Sequence, residues 1–360
     1  MLKDIRKNID LSLTRFVEEV QDEYNLHLIH PELYESIKDF ILRKGKRIRP
    51  ILLVLGYQGY SRRDNPLNEN IYRASTSIEL LHNFMLIHDD IIDCSDLRRG
   101  KPTMHRMLRR VVRTNDPDKL GFDLGIIAGD IVYALAIDAF LSFEETPKRM
   151  HKALRYFIQT AAFTAMGEFV DTLNGVLPIA KVEEKDVYLN YSLKTARYTF
   201  DCPLVVGALL AGAGQRETER LSELGLLIGQ AFQIQDDIIG VFDSEKNIGK
   251  SVLSDIAESK KTILVCHAYR TLKGAQKKEF LSLFHKSKTT MKDLRKIRKI
   301  LIGCGSLEYA FDAVKERLER SEQLVSRLKM KPDSRDMIWQ SFSQLFKHTA
   351  RIAKSYHLPY

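Results

Sequence analysis

At 360 residues with 44% hydrophobic content, the chain can bury one large core or two modest ones, so size alone leaves the domain count open. A net charge of +9 suits nucleic acid, an anionic membrane or a polyanionic small molecule. The cysteines Cys94, Cys202, Cys266 and Cys304 stand far apart, with no CxxC pair and no Cys/His group at zinc spacing, which argues against a disulfide framework and against structural zinc.

The opening segment, MLKDIRKNIDLSLTRF, alternates charged and apolar residues and lacks the apolar run of about 7 to 15 residues found in a secretory signal. The longest stretches without charge, such as Cys202 to Gln215, fall short of the roughly 20 apolar residues that a membrane-spanning helix needs. The expectation is a cytoplasmic, unprocessed chain without a transmembrane segment. Apolar residues recur at helical spacing almost throughout, as in Ile78 and Leu81 or Leu224, Ile228 and Phe232, while alternating strand-like runs are hard to find. The predicted class is therefore all-α. Breaks fall at Asn65-Pro66, Asn115-Asp116-Pro117, Thr146-Pro147, Asn174 to Pro178, Lys246 to Lys250 and Lys331-Pro332. They delimit roughly a dozen helices, many apolar on more than one face, as befits the centre of a bundle. No Gly-, Ser- or Pro-rich linker and no fixed-period repeat divides the chain, so residues 1–360 are expected to form one domain.

The first chemically informative segment is residues 80 to 105, LLHNFMLIHDDIIDCSDLRRGKPTMH. Asp89 and Asp93 are four apart, so on a helix both project from one face with Asp90 beside them. Like charges so close require a raised pKa or a nearby cation. A second segment, residues 229 to 262, repeats the design, an apolar helix ending in Asp236 and Asp237 with Asp243 two turns on. A basic turn follows each: Arg98 and Arg99 after the first, Lys250, Lys260 and Lys261 after the second. Carboxylates so arranged suit magnesium, which takes oxygen ligands and is usually shared with substrate phosphate. Arg and Lys supply charge-assisted contacts to the same phosphates. Acids, metal and bases together make a diphosphate site.

Competing readings fit less well. Gly249-Lys250-Ser251 looks like the end of a phosphate-binding loop, but Ser244 stands where that loop needs glycine and no strand precedes it. A His88-Asp89 metal pair of a phosphohydrolase would leave the second acidic cluster unexplained. The basic segment from Lys286 to Lys299 carries Met291, Leu294 and Ile297 at helical spacing without interleaved aromatics, which points to a solvated helix face and against nucleic acid.

Six motifs in a fixed order, GKRIRP (45 to 50), DDIID with RRG, GEFVD (167 to 171), KTA (194 to 196), FQIQDD (232 to 237) and GKS with DIAESKKT, identify a resemblance to the trans prenyl diphosphate synthases over nearly the whole chain. The resemblance implies an all-helical bundle around a deep apolar cavity, in a homodimer, with the two Asp-rich helices facing each other across its mouth. It implies magnesium, three ions per active site, with Asp89, Asp93 and Asp236 as the bridging carboxylates, supported by Asp90 and Asp237. Arg98, Lys194, Lys250 and Lys260 are implied to bind the allylic diphosphate, and Gly45, Lys46, Arg49, His82 and Arg99 to bind isopentenyl diphosphate. Gln233, Thr195 and Asp171 match positions lining the reacting centre, while Lys261 reads as a surface charge. One departure is Gly240, which stands where the family's second motif often has a further Asp.

The resemblance implies no nucleophilic residue: magnesium and the basic residues stabilise the departing diphosphate, and apolar walls protect the allylic cation. Phe84 and Met85 precede Asp89 by about one turn, where a growing tail should pass. Phe84 followed by a smaller residue resembles geranylgeranyl synthases, implying a twenty-carbon product, with fifteen carbons as the alternative. A non-catalytic partner subunit would be expected to lose Asp-rich motifs, and a terpene cyclase would not need GKRIRP and RRG.

Overall fold

A computed structural model describes residues 1–62, 67, 69–243, 260–284, 290–356 and 358. The described chain is almost wholly helical. In order run α1 (Leu2–Tyr24), α2 (Leu26–Ile29), α3 (Pro31–Leu42), α4 (Ile48–Tyr60) and α5 (Glu69–Ile92), then α6 (Met104–Leu108), α7 (Pro117–Leu141) and α8 (Pro147–Val176). After them come α9 (Glu184–Asn190), a π-helix (Tyr191–Asp201), α10 (Cys202–Ala211) and α11 (Gln215–Phe242). Further helices follow at Ile263–Thr271, Gly274–Phe284, Met291–Gly303, Ser306–Ser326 and Pro332–Ser355. Several boundaries fall where the sequence places them: Pro117, Pro147 and Pro332 each open a helix, since proline lacks only an N–H that would be unpaired there. The expected breaks at Asn65-Pro66 and Lys246 to Lys250 lie outside the described residues.

The chain divides into two compact units. One comprises Met1–Ile158, Cys202–Thr218 and Met330–Met337, the other Gln159–Asp201, Glu219–Lys329 and Ile338–Tyr360. In the first unit α5 packs along α7, and α4 along α10. The α4–α10 contact is close because glycine permits it: a Cβ on Gly207 would sit 2.1 Å from the Leu53 carbonyl oxygen. Leu52 to Leu55, Leu80, Leu81 and Leu204 fill that core, all at 1% exposure or less.

Two features of this unit depart from the sequence expectation. A short antiparallel hairpin, β1 (Leu97–Arg98) and β2 (Lys101–Pro102), interrupts the helices, pairing Leu97 with Pro102 and Arg98 with Lys101. Its two central residues, Arg99 and Gly100, have φ of 56° and 75°, the left-handed pair that a two-residue hairpin turn requires. The RRG motif is thus a turn held in a strained conformation at Arg99. The second feature is α7, which has an 18-residue window of mean hydropathy 1.9, 44% of it buried, and is long and apolar enough to cross a membrane. Asp130 and Asp138 interrupt its apolar sequence, so it contains no long charge-free run. Within its unit α7 packs on α5 and α6, while Ile126, Ile127 and Leu141 stay exposed.

In the second unit the π-helix carries the KTA residues and is wedged by glycines. A Cβ on Gly167 of α8 would lie 2.4 Å from the Lys194 nitrogen, and one on Gly229 of α11 would lie 2.2 Å from the Ala196 Cβ. Phe200 anchors the segment against Phe232 and Phe342, at ring separations of 5.5 and 6.0 Å, contacts worth about 0.5–1.5 kcal/mol each beyond their area. The helix Met291–Gly303 buries Leu294, Ile297 and Leu301 and turns Lys292, Arg295, Lys296 and Lys299 outward, the solvated basic face expected, although Met291 is also exposed.

Candidate active site

In the first unit, the acidic end of α5 is built around one buried guanidinium. Helical hydrogen bonding runs through Asp93, whose N–H donates to the Asp89 carbonyl at 2.9 Å, and stops at Cys94, which takes φ of 51°. Asp90 is fully buried and Asp93 exposed. Arg98, brought back by the hairpin, donates Nε to Asp90 Oδ1 at 2.8 Å and Nη2 to Asp89 Oδ2 at 3.0 Å. Burial opposes the Arg98 charge, but the hydrogen bonds and charges of Asp90 and Asp89 outweigh it and hold its pKa above the usual value. Arg98 thus neutralises part of the acidic cluster from within the chain.

The same hairpin delivers Arg99 beside the GKRIRP segment. A Cβ on Gly45 would stand 3.3 Å from the Arg99 guanidinium, so glycine leaves the room that Arg99 fills. Arg99 Nη1 donates to the Arg43 carbonyl at 3.1 Å. His82 is buried on α5, and burial together with the charges of Arg49, Arg99, Arg98 and Arg47 pushes its pKa well below the ordinary histidine value. Arg47 and Arg98 are ion-paired, so Arg49 and Arg99 beside a neutral imidazole are the charges of this cluster best suited to an anion. Lys46 is exposed and Arg49 half-buried.

Sequence reasoning missed the residues that shape this cluster. Arg43 donates to Asp39 Oδ2 at 2.7 Å and to the Pro102 carbonyl at 2.8 Å, clamping the hairpin. Arg47, inside GKRIRP and at φ of 52°, is engaged by Glu79 and by Asp10 Oδ1 at 2.8 Å. These partners are distant in sequence, so no local signal reveals them. Phe84 and Met85 are half-buried one turn before Asp89. The Phe84 ring lies 4.7 Å from that of His88 and 4.8 Å from that of Tyr133.

In the second unit, Lys194 projects from the π-helix to Asp171 Oδ2 at 2.7 Å and Glu168 Oε2 at 2.9 Å. Glu168 was missed, although it stands three residues before Asp171 and so shares its helix face. Thr195 Oγ1 donates to Gln233 Oε1 at 2.8 Å, and Gln233 Nε2 reaches Asp237 Oδ1 at 3.4 Å. Asp237 is buried and also accepts from the Tyr191 hydroxyl, whereas Asp236 is exposed. Burial first, then the Asp237 charge, pushes the Tyr191 pKa well above normal, so the phenol remains a donor.

Three expectations for the second basic turn fare differently. Lys250 lies outside the described residues. Lys260 is half-buried. Lys261 is no surface charge: it is 9% exposed, donates Nζ to the Gly175 carbonyl at 2.6 Å, and has its pKa lowered by burial. Asp243 follows the last residue of α11 and its carboxylate pairs with His348, while its carbonyl accepts from Arg298 Nη2 at 2.7 Å.

Among the described residues, no three His, Cys, Asp or Glu side chains are grouped to hold a metal ion. The protein offers carboxylates singly or in pairs, the donor set of a hard cation that completes its shell with substrate phosphate. Magnesium fits such donors, and a closed zinc cage does not.

The family model for polyprenyl synthetase matches residues 30–301. The chain is 33% identical over 309 residues to a short chain isoprenyl diphosphate synthase of Methanocaldococcus jannaschii, covering 86% of this chain and 84% of that one. It is 32% identical over 306 residues to a geranylgeranyl diphosphate synthase of Sulfolobus acidocaldarius, covering 84% and 86%. In fold it matches a Corynebacterium glutamicum geranylgeranyl pyrophosphate synthase, crystallised with isoprenyl diphosphate and magnesium, at a TM-score of 0.87 and 24% identity over 96% of this chain and 99% of that one. On the matched span and on this identity, the chain belongs to the polyprenyl synthetase family.

Proposed function

We propose that the enzyme is a magnesium-dependent prenyltransferase that condenses isopentenyl diphosphate with dimethylallyl, geranyl or farnesyl diphosphate, ending mainly at geranylgeranyl diphosphate. The observation that carries the reading is the hairpin turn that sets Arg99 against Gly45 of GKRIRP and Arg98 against Asp89 and Asp90 at the acidic helix end. One polyanion calls for the guanidinium groups, and a metal-bridged second one calls for the carboxylates.

In this reading Asp89, Asp93 and Asp236 are the magnesium ligands, for three ions, and Asp90 and Asp237 hold them in place. Bound there, the metal supplies charge neutralisation to the departing diphosphate. Arg98, Lys194, Thr195, Gln233 and Lys260, with Lys250, bind the allylic diphosphate and favour its release by stabilising the charge that grows on it. Gly45, Lys46, Arg49, His82 and Arg99 orient isopentenyl diphosphate so that its double bond meets the allylic cation, and apolar walls keep water from that cation. Neutral His82 can donate one hydrogen bond without adding another charge. No side chain forms a covalent bond, and the proton lost at the end of each cycle goes to the leaving diphosphate. We further assign the working form as a cytoplasmic homodimer.

The test is incubation of the purified protein with labelled isopentenyl diphosphate, magnesium and each allylic primer, followed by sizing of the products. Twenty-carbon product from all three primers supports the reading. Fifteen-carbon product alone would assign the farnesyl activity, and no elongation would overturn the proposal.

A further inference from the structure

The π-helix contributes one buried group for which the reaction above has no use. The side chain of Tyr191, 5% exposed, donates its hydroxyl hydrogen to Asp237 Oδ2, and its oxygen accepts the backbone N–H of Ile263 at 3.0 Å. Ile263 is the first residue of the helix Ile263–Thr271, whose N-cap, Thr262, accepts from the Val265 N–H at 3.4 Å. Lys260 lies two residues before that cap. A single phenolic oxygen therefore ties the acidic end of α11 to the turn that presents Lys260. Lys261 fastens the same turn from its other side, through the Gly175 carbonyl at 2.6 Å.

The tie is well placed to set geometry. The other oxygen of Asp237 has a longer contact, 3.4 Å from Gln233, so the tyrosine makes the shorter of these two hydrogen bonds to the carboxylate. The ring itself is held edge-on to Tyr188 at 6.0 Å, which leaves the hydroxyl as the part that reaches both targets. Phenylalanine would keep the packing and delete the tie. The Asp237 carboxylate would then lose the shorter of these two hydrogen bonds, and the N–H of Ile263 in the first turn of the helix would lose its acceptor, a loss felt as fraying at that end.

We propose that Tyr191 is a positioning residue for the allylic half of the reaction, holding Asp236-Asp237 and the Lys260 turn in register with each other. The inference rests on the assignment of Asp236 and Lys260 to the metal-bound allylic diphosphate. The residues assigned to isopentenyl diphosphate, from Gly45 to Arg99, lie elsewhere in the sequence and are not joined through this oxygen.

The experiment is Tyr191→Phe in the full-length enzyme, read in two ways. Steady-state kinetics should show the KM for the allylic primer and the magnesium concentration for half-maximal rate each rising about tenfold, the usual weight of one buried hydrogen bond to a charged group. The KM for isopentenyl diphosphate should stay within about twofold. Calorimetric titration with magnesium and inorganic diphosphate should show the same weakening without turnover, so it remains informative even if the condensation reading fails. Thr262→Ala, which loosens the same helix start and leaves the phenol in place, should shift the same quantities in the same direction by a smaller factor, about threefold. If Tyr191→Phe matched the wild type in both measurements, or raised both substrate KM values equally alongside a lower melting temperature, the tyrosine would be a packing group only and the proposal would be overturned.

Discussion

The acidic ends of α5 and α11 share one pattern in sequence and solve the same electrostatic problem with different chemistry. In each pair the second aspartate, Asp90 or Asp237, is buried and hydrogen-bonded, and the first, Asp89 or Asp236, is the more accessible. At α5 the buried carboxylate is answered by a full positive charge on Arg98. At α11 the hydrogen bonds to the buried carboxylate include two from neutral groups, the Tyr191 phenol and the Gln233 amide. A buried ion pair is costly to break from one side, since the remaining charge is stranded, whereas removing a single neutral donor from a carboxylate costs about one hydrogen bond. The guanidinium of the first end should therefore weigh more in stability than either neutral donor of the second.

Breaking the guanidinium side should give the largest effect. Arg98→Ala strands Asp90 at zero exposure and should destabilise the fold by about 3–5 kcal/mol in chemical denaturation. Removal of a donor on the other side, by Gln233→Ala, should cost about 1 kcal/mol. Equal losses would erase the distinction. The next effect concerns chemistry: Asp89→Ala and Asp236→Ala should each lower kcat by about two to three orders of magnitude, with a melting temperature close to wild type for exposed Asp236 and a modest fall for Asp89, whose loss leaves Arg98 its hydrogen bonds to Asp90. Comparable loss of turnover and stability in either variant would contradict a catalytic role for that residue.

The parts of this arrangement that could be read from sequence are those fixed by neighbours in the chain. Proline positions marked the starts of α7 and α8, and the repeated Asp pairs marked both helix ends, because each signal depends on residues within one or two turns. The clamp of Arg43 on Pro102, the Arg47–Glu79 pair and the Tyr191–Asp237 hydrogen bond join residues 59, 32 and 46 positions apart, and no local spacing announces them. The π-helix was equally hidden: its KTA motif was visible, but the close approach of Gly167 and Gly229 to it comes from helices distant in sequence. Lys261 misled for a related reason, since a lysine beside another lysine reads as solvated until its partner carbonyl, at Gly175, is seen.

The charge on the guanidinium side can also be probed by pH. His82 has its pKa pushed well below the ordinary value by burial and by the surrounding arginines, so the native state refuses a proton that the unfolded chain takes up near pH 6.5. The unfolded state therefore binds more protons in the window below that pH, and stability must fall as pH falls. Relative to His82→Gln, wild-type stability should decline by as much as about 1.4 kcal/mol per pH unit below about 6.5, measured by denaturation at matched ionic strength. Parallel profiles for the two proteins would show that the arginines do not act on His82 as inferred.

The smallest effect expected is on product length, and it tests whether the guanidinium-bound end also measures the substrate. Phe84 precedes Asp89 by five residues on α5, and its ring is backed by Tyr133 of α7 at 4.8 Å. A side chain fixed relative to Asp89 by the same helix sits at a set distance from the proposed reacting carbon, so truncating it should deepen the tail's path. The contacts a ring gives up to alanine amount to a few kcal/mol of stability when fully buried, but Phe84 is only half-buried and the loss should be smaller. Phe84→Ala should retain turnover and shift part of the product from twenty carbons to longer chains, read by chromatography of the dephosphorylated alcohols. An unchanged distribution would reduce Phe84 to a packing residue and leave the length limit to another part of the wall.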